Sequence, residues 1–364
     1  MQNSLFDDDF EDTDEPAPAP AAAPVPRKRT AARQARVLPM PTDPALRALA
    51  SELPPNLRLG TSSWSFPGWA GTVWEGEYEQ SVLSKHGLAA YAQHPLFRAV
   101  SIDRSFYKPV TAIQFAAYAA QVPEDFRFTV KAPSLVADAM VRGEDGRGMQ
   151  ANPAFLDPAL AATEFVQPAL DGLGHKVGAL VIQLSPLPGP MLARMPEVLE
   201  RLGAMLRSLP ALQPIAPDGV IAVEVRNPEF LTSAFCDVLR DAGATYCLGL
   251  HSKLPPIEAQ LPLLRALWPA PLVCRWNLNR LHGAYGYEDA KALYEPFDRL
   301  LDIDLDTRAT LARVIAGTIR AGQRAYVTVS NEAEGSAPLT VQALAEEIRR
   351  RLAELSPPDP DRSR

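Results

Sequence analysis

The chain has 364 residues, 47% of them hydrophobic, which is enough to build one large core or two ordinary ones. A formal net charge of −7 argues against a general nucleic-acid coat and leaves room only for a local basic groove. The three cysteines, Cys236, Cys247 and Cys274, have no metal-ligand spacing and read as buried free thiols.

From residue 1 to about residue 50 the sequence predicts a disordered tail. An acidic stretch from Asp7 to Glu15 precedes PAPAPAAAPVP at 16–26 and a basic patch from Arg27 to Arg36. Such a segment has too few large apolar groups to offset its ordering entropy. The acidic start lacks the apolar centre of a signal peptide, and the run VGALVIQL at 177–184 is far short of the ~20 residues that span a bilayer. A cytoplasmic protein without a membrane partner is therefore expected. The folded domain is placed at 51–356, with a second disordered tail at 357–364.

Eight β-type runs follow in order: 57–62, 97–106, 126–132, 178–184, 220–226, 244–250, 271–276 and 325–330. Helical patterns lie between them, such as 191–209, 228–243 and 306–322, the last two closing on glycine. Strands alternating with helices imply parallel pairing, and eight units in this length predict an α/β fold, a single (β/α)8 TIM-type barrel. The rival open sheet lacks its phosphate fingerprint. Gly143, Gly146 and Gly148 follow no strand, and Gly172, Gly174 and Gly178 precede one.

Seven motifs at the strand ends recur in a fixed order: GTSSWSFPGWAGTVW (60–74), VSIDRSFYKP (100–109), FRFTVKAP (126–133), IQLSP (182–186), VEVRNPEF (223–230), RLHGAYGY (280–287) and SNEAEGSAP (330–338). With them the chain resembles the YecE-like family, also called domain of unknown function 72. The resemblance implies a barrel with a polar pocket at its C-terminal end and supplies no established activity. The chain departs from the family pattern in its second motif, where Ser101, Asp103 and Arg104 stand for glutamate, asparagine and serine. It departs again in the last motif, where Glu332 stands for aspartate.

Within a strand every second side chain shares a face. This alternation sends Glu224 and Arg226 into the barrel, with Ser101, Asp103, Ser105, Thr129, Lys131, Gln183, Arg275, Thr328, Ser330 and Glu332. Three anions (Asp103, Glu224, Glu332) then face three cations (Lys131, Arg226, Arg275). One reading is a salt-bridge network that closes the barrel mouth. The other is a site in which the carboxylates move protons and the cations hold an anion. Glu224, partly desolvated, is expected to have a raised pKa, and Arg226 offers a planar fork for carboxylate or phosphate. Trp64 and Tyr107 follow strands directly and are candidates for stacking a ligand. Gln183, His282 and Asn331 complete the candidate binding set, although a lone histidine such as His282 equally suits a loop anchor.

No GxSxG elbow supports nucleophilic catalysis by Ser63 or Cys247. No cofactor is predicted, and no HExxH spacing marks a zinc site, so a divalent metal is left open. The expected function is a hydrolytic or acid/base enzyme acting on a polar anionic small molecule or a phosphodiester. The alternative is a non-catalytic module that binds a phosphate-bearing ligand or single-stranded nucleic acid, the latter not favoured by the acidic balance. Nothing in the sequence indicates an oligomeric state.

Overall fold

A computed structural model of the protein describes residues 36–143, 148–283 and 286–355. The expected tails at 1–35 and 357–364, Gly146 and Tyr285 lie outside the described residues. The tail expected to reach residue 50 is corrected at its inner end. Residues Pro44–Glu52 form a helix whose Asp43 cap accepts from the Ala45 backbone and whose first position is proline. Its Leu49 and Ala50 are buried, and Pro39 bridges to Trp74. A short apolar stripe outweighs the charged, proline-rich composition here.

Among the described residues ten strands follow in chain order: β1 (Leu57–Thr61), β2 (Ala99–Ile102), β3 (Arg127–Lys131), β4 (Met140–Arg142), β5 (Gly148–Ala151), β6 (Val177–Gln183), β7 (Val220–Glu224), β8 (Thr245–Leu250), β9 (Leu272–Trp276) and β10 (Ala325–Val329). Eight of them pair in parallel and close as β1-β10-β9-β8-β7-β6-β3-β2, the expected TIM-type α/β barrel. The hairpin of β4 and β5 stands apart as an antiparallel pair after β3. Long helices cover the outside, among them Met195–Ser208, Leu305–Arg320 and Ala337–Leu355. Gly60 marks the tightest strand approach, because a Cβ there would meet the Ala99 carbonyl oxygen at 1.8 Å.

The barrel interior has three levels. Its middle is an apolar plug of Ala179, Val181, Val220, Ala222, Cys247, Val273 and Tyr326, separate from the larger core between sheet and helices. Below it, at the N-terminal strand ends, Asp218 binds Arg127 at 2.7 Å and Arg324 at 2.6 Å. Above it lies the charged mouth. Two strands end at least two residues earlier than expected: β2 stops at Ile102 and turns into a 3-10 segment at Arg104–Phe106, and β7 stops at Glu224. In each motif a polar residue just past the strand (Asp103, Arg226) bends into the mouth to meet a partner, which ends the ladder.

Candidate functional site at the barrel mouth

Glu224, the last residue of β7, is fully buried and organises the mouth. One carboxylate oxygen accepts from Arg226 Nη1 and, at 2.8 Å, from Asn277 Nδ2. The other accepts from Arg275 Nη1 at 2.6 Å. Arg275 reaches on through its second terminal nitrogen to Asp103, whose other oxygen accepts from Ser101 at 2.5 Å. Gln183 Oε1 accepts from both guanidiniums, at 3.0 Å from Arg226 and 3.1 Å from Arg275. Four of the six predicted charges thus lock one another in a chain: Arg226, Glu224, Arg275 and Asp103.

The expected raised pKa of Glu224 is reversed. Burial alone would push the carboxyl up, but the Arg226 and Arg275 guanidiniums overcome it and hold the group at about 2. Glu224 is therefore a fixed carboxylate at neutral pH. His251, also buried at the mouth, is held neutral by burial and by Arg226, its pKa falling to about 3.

Lys131 and Glu332 stand outside the chain. Lys131 ends β3, is 9% exposed, and has no ion pair within 4.0 Å among the described residues. Its amine lies 3.8 Å from the centre of the Phe106 ring. Desolvation, followed by the field of Arg275, lowers its pKa from 10.5 to about 7, against the pull of Asp103 and Glu224. The ring face favours the ammonium and works against that shift. The backbone at this point is pinned, because Ser105 donates to the Lys131 carbonyl at 2.6 Å. Glu332, in the 3-10 turn after β10, accepts from the Ser330 hydroxyl, and burial raises its pKa. Asp103 contributes to the field at both groups.

The remaining predicted residues are placed differently. Trp64 is buried, donates to the Ser84 carbonyl at 3.3 Å and packs edge-on against Tyr118. Tyr107 is exposed and lies edge-on to Phe106. Asn331 is buried, with its side-chain oxygen accepting from Trp69 Nε1 at 3.1 Å and the Ala337 backbone at 2.9 Å. It ties the β1 loop to the start of the last helix. His282 lies 2.6 Å from the Tyr294 hydroxyl, which donates to Asp302 at 2.6 Å. That is the loop-anchor geometry.

Two contributors escape the sequence reading. Asn277 is two residues past Arg275 and shares its face, so the alternation already contained it. Phe106 lies in a turn, where alternation says nothing. Beneath the charges, Thr129 Oγ1, Thr328 Oγ1 and Arg275 Nε are buried without a hydrogen-bond partner among the described residues. Groups of this kind call for a ligand oxygen or an ordered water. Among the described residues no group of three or more His, Cys, Asp or Glu is arranged to hold a metal ion, and no helix is long and apolar enough to cross a membrane.

A family model described as protein of unknown function DUF72 matches residues 58–364. The structure is similar to that of a DUF72 family protein from Enterococcus faecalis, with a TM-score of 0.50 at 17% identity over 83% of this chain and 96% of that one. It is also similar to a DUF72 family protein from Thermotoga maritima, with a TM-score of 0.50 at 20% identity over 80% of this chain and 98% of that one. At such identities the likeness speaks for the fold alone. A comparison with curated proteins returns no match.

Proposed function

The chain belongs to the DUF72 family, and we propose that its barrel mouth is the active site of an acid/base enzyme acting on a small polar or anionic molecule. The observation that carries this reading is that Lys131 and Glu332 have no ion-pair partner among the described residues, while the other four predicted mouth charges pair with one another. Enclosed charges without partners are costly to a fold, so their persistence at the end of a barrel where sites are usually built speaks for use. Lys131, near neutrality, holds an anionic group or takes a proton. Glu332, with its raised pKa, donates one. Glu224 and Asp103 serve as fixed counterions that aim Arg275 and Arg226, a change from the proton-carrying role expected of them. The orphaned threonine hydroxyls and Arg275 Nε supply polar anchors.

The nucleic-acid reading is weakened by the same geometry. Both mouth arginines are occupied by acidic partners, which leaves Lys131 as the one of the three predicted cations not held by a carboxylate among the described residues. Free buried thiols at Cys236, Cys247 and Cys274 fit the reducing cytoplasm that the reading assumes.

The test is a thermal-shift comparison of the full chain with inorganic phosphate, small carboxylates and sugar phosphates. A ligand at a hundredfold excess over its dissociation constant adds ~2.7 kcal/mol to the apparent stability. That gain is expected to vanish in Lys131→Met. A gain that survives Lys131→Met undiminished would place the ligand elsewhere and overturn the reading.

A further inference from the structure

We propose that the Lys131 amine is a nucleophile that forms a Schiff base with a small aldehyde or α-oxo acid entering the barrel mouth. The inference rests on the acid/base reading of the same site and names the substrate class, a reactive carbonyl.

Three features of Lys131 point this way. Its amine is engaged by no carboxylate among the described residues, although Asp103 and Glu224 are bound to Arg275 close enough to act on it. Its backbone is fixed by the strand and by Ser105, while its side chain is buried and its amine sits over the Phe106 ring, away from bulk solvent. Its environment is an aromatic face and a fixed array in which Arg275 and Arg226 oppose Asp103 and Glu224. A desolvated lysine beside other cations is the standard route to an amine that is neutral and nucleophilic at physiological pH. Exposed lysines such as Lys85 and Lys108 have no such setting.

The step balances without a further reagent. The nitrogen lone pair attacks the carbonyl carbon and forms the C–N bond, while the carbonyl π pair passes to oxygen. Both hydrogens of the neutral amine leave with that oxygen as one water, and the C=N bond closes. No electron acceptor is required.

The experiment treats the full chain with glyoxylate and sodium cyanoborohydride at pH 7 and maps the resulting N-carboxymethyl-lysine by peptide mass spectrometry. Reduction traps the imine as a stable secondary amine. Lys131 is expected to be modified at least about tenfold faster than Lys85 and Lys108. Lys131→Arg, with its folding checked by thermal melting, is expected to lose that fast adduct alone. Modification of Lys131 no faster than the exposed lysines would overturn the proposal. Phosphate stabilisation that depends on Lys131, found without a trapped adduct, would leave the acid/base reading standing and remove the Schiff base. Loss of both would remove the two together.

Discussion

Both ends of the barrel interior carry ions, and the two sets are built differently. At the N-terminal end Asp218 takes Arg127 and Arg324 on its two oxygens, and Arg127 also donates to the carbonyls of Glu124 and Phe126 at 2.9 Å. Arg324 is 45% exposed, so water screens this cluster. Burial raises the Asp218 pKa, but Arg127 and Arg324 outweigh it and the group is lowered overall. At the C-terminal end Glu224, Arg226 and Arg275 are enclosed, and Lys131 and Glu332 have no opposite charge in contact among the described residues. The lower set closes the barrel and asks for nothing more. The upper set is paired in its centre and unsatisfied at its edges, which is the pattern of a site shaped for something outside the chain.

The sharpest way to break this contrast is Glu224→Gln. Removing the enclosed anion leaves Arg226 and Arg275 facing each other, and urea unfolding at pH 7 is expected to show a loss of about 3–5 kcal/mol. Asp218→Asn at the screened end is expected to cost less, about 2 kcal/mol. Equal losses would mean that the two ends are equally enclosed.

Lys131→Met should move stability in the opposite direction, by about 1 kcal/mol upward at pH 6, because an isolated buried ammonium is replaced by an apolar chain of similar length. The sign follows from the titration. Between pH 7 and 10.5 the unfolded chain binds more protons at Lys131 than the folded one, so the wild type gains stability as pH rises through that window. The variant should lack that rise, so the two curves should cross between pH 7 and 10, with the wild type the more stable above the crossing. A wild-type curve that stays parallel to the variant's from pH 6 to 10 would mean that Lys131 titrates normally.

The smallest effect is expected at His282, where His282→Gln should cost about 1 kcal/mol while leaving phosphate stabilisation intact, as befits a loop anchor. Loss of phosphate stabilisation in that variant would move His282 into the site.

Much of the barrel was legible because alternation of two inside strands and longer periods between them needs only local sequence. The same alternation found Glu224, Arg275, Lys131 and Gln183. It could not foresee the β4–β5 hairpin, whose residues carry no clear alternation, nor the helix at Pro44–Glu52, which a biased composition concealed. Nor could it say which charges pair. Asp103, Arg226 and Glu332 lie past their strand ends, and contacts there depend on how turns fold across the barrel. That is why Glu224, expected to be a poised acid, is a fixed counterion, and why Phe106 was missed. Trp64 and Asn331 had signals of the right kind, but loop packing uses the same residue types as ligand binding does.

Lys131 is the pivot of the site: a buried amine with a pKa of about 7 and no ion-pair partner among the described residues. Lysine labelled with carbon-13 at Cε, followed by NMR through a pH titration of the full chain and assigned with Lys131→Arg, tests it directly. The resonance that Lys131→Arg removes should titrate with a midpoint of about 7. A Lys131 midpoint at the ordinary lysine value of 10.5 would contradict the account.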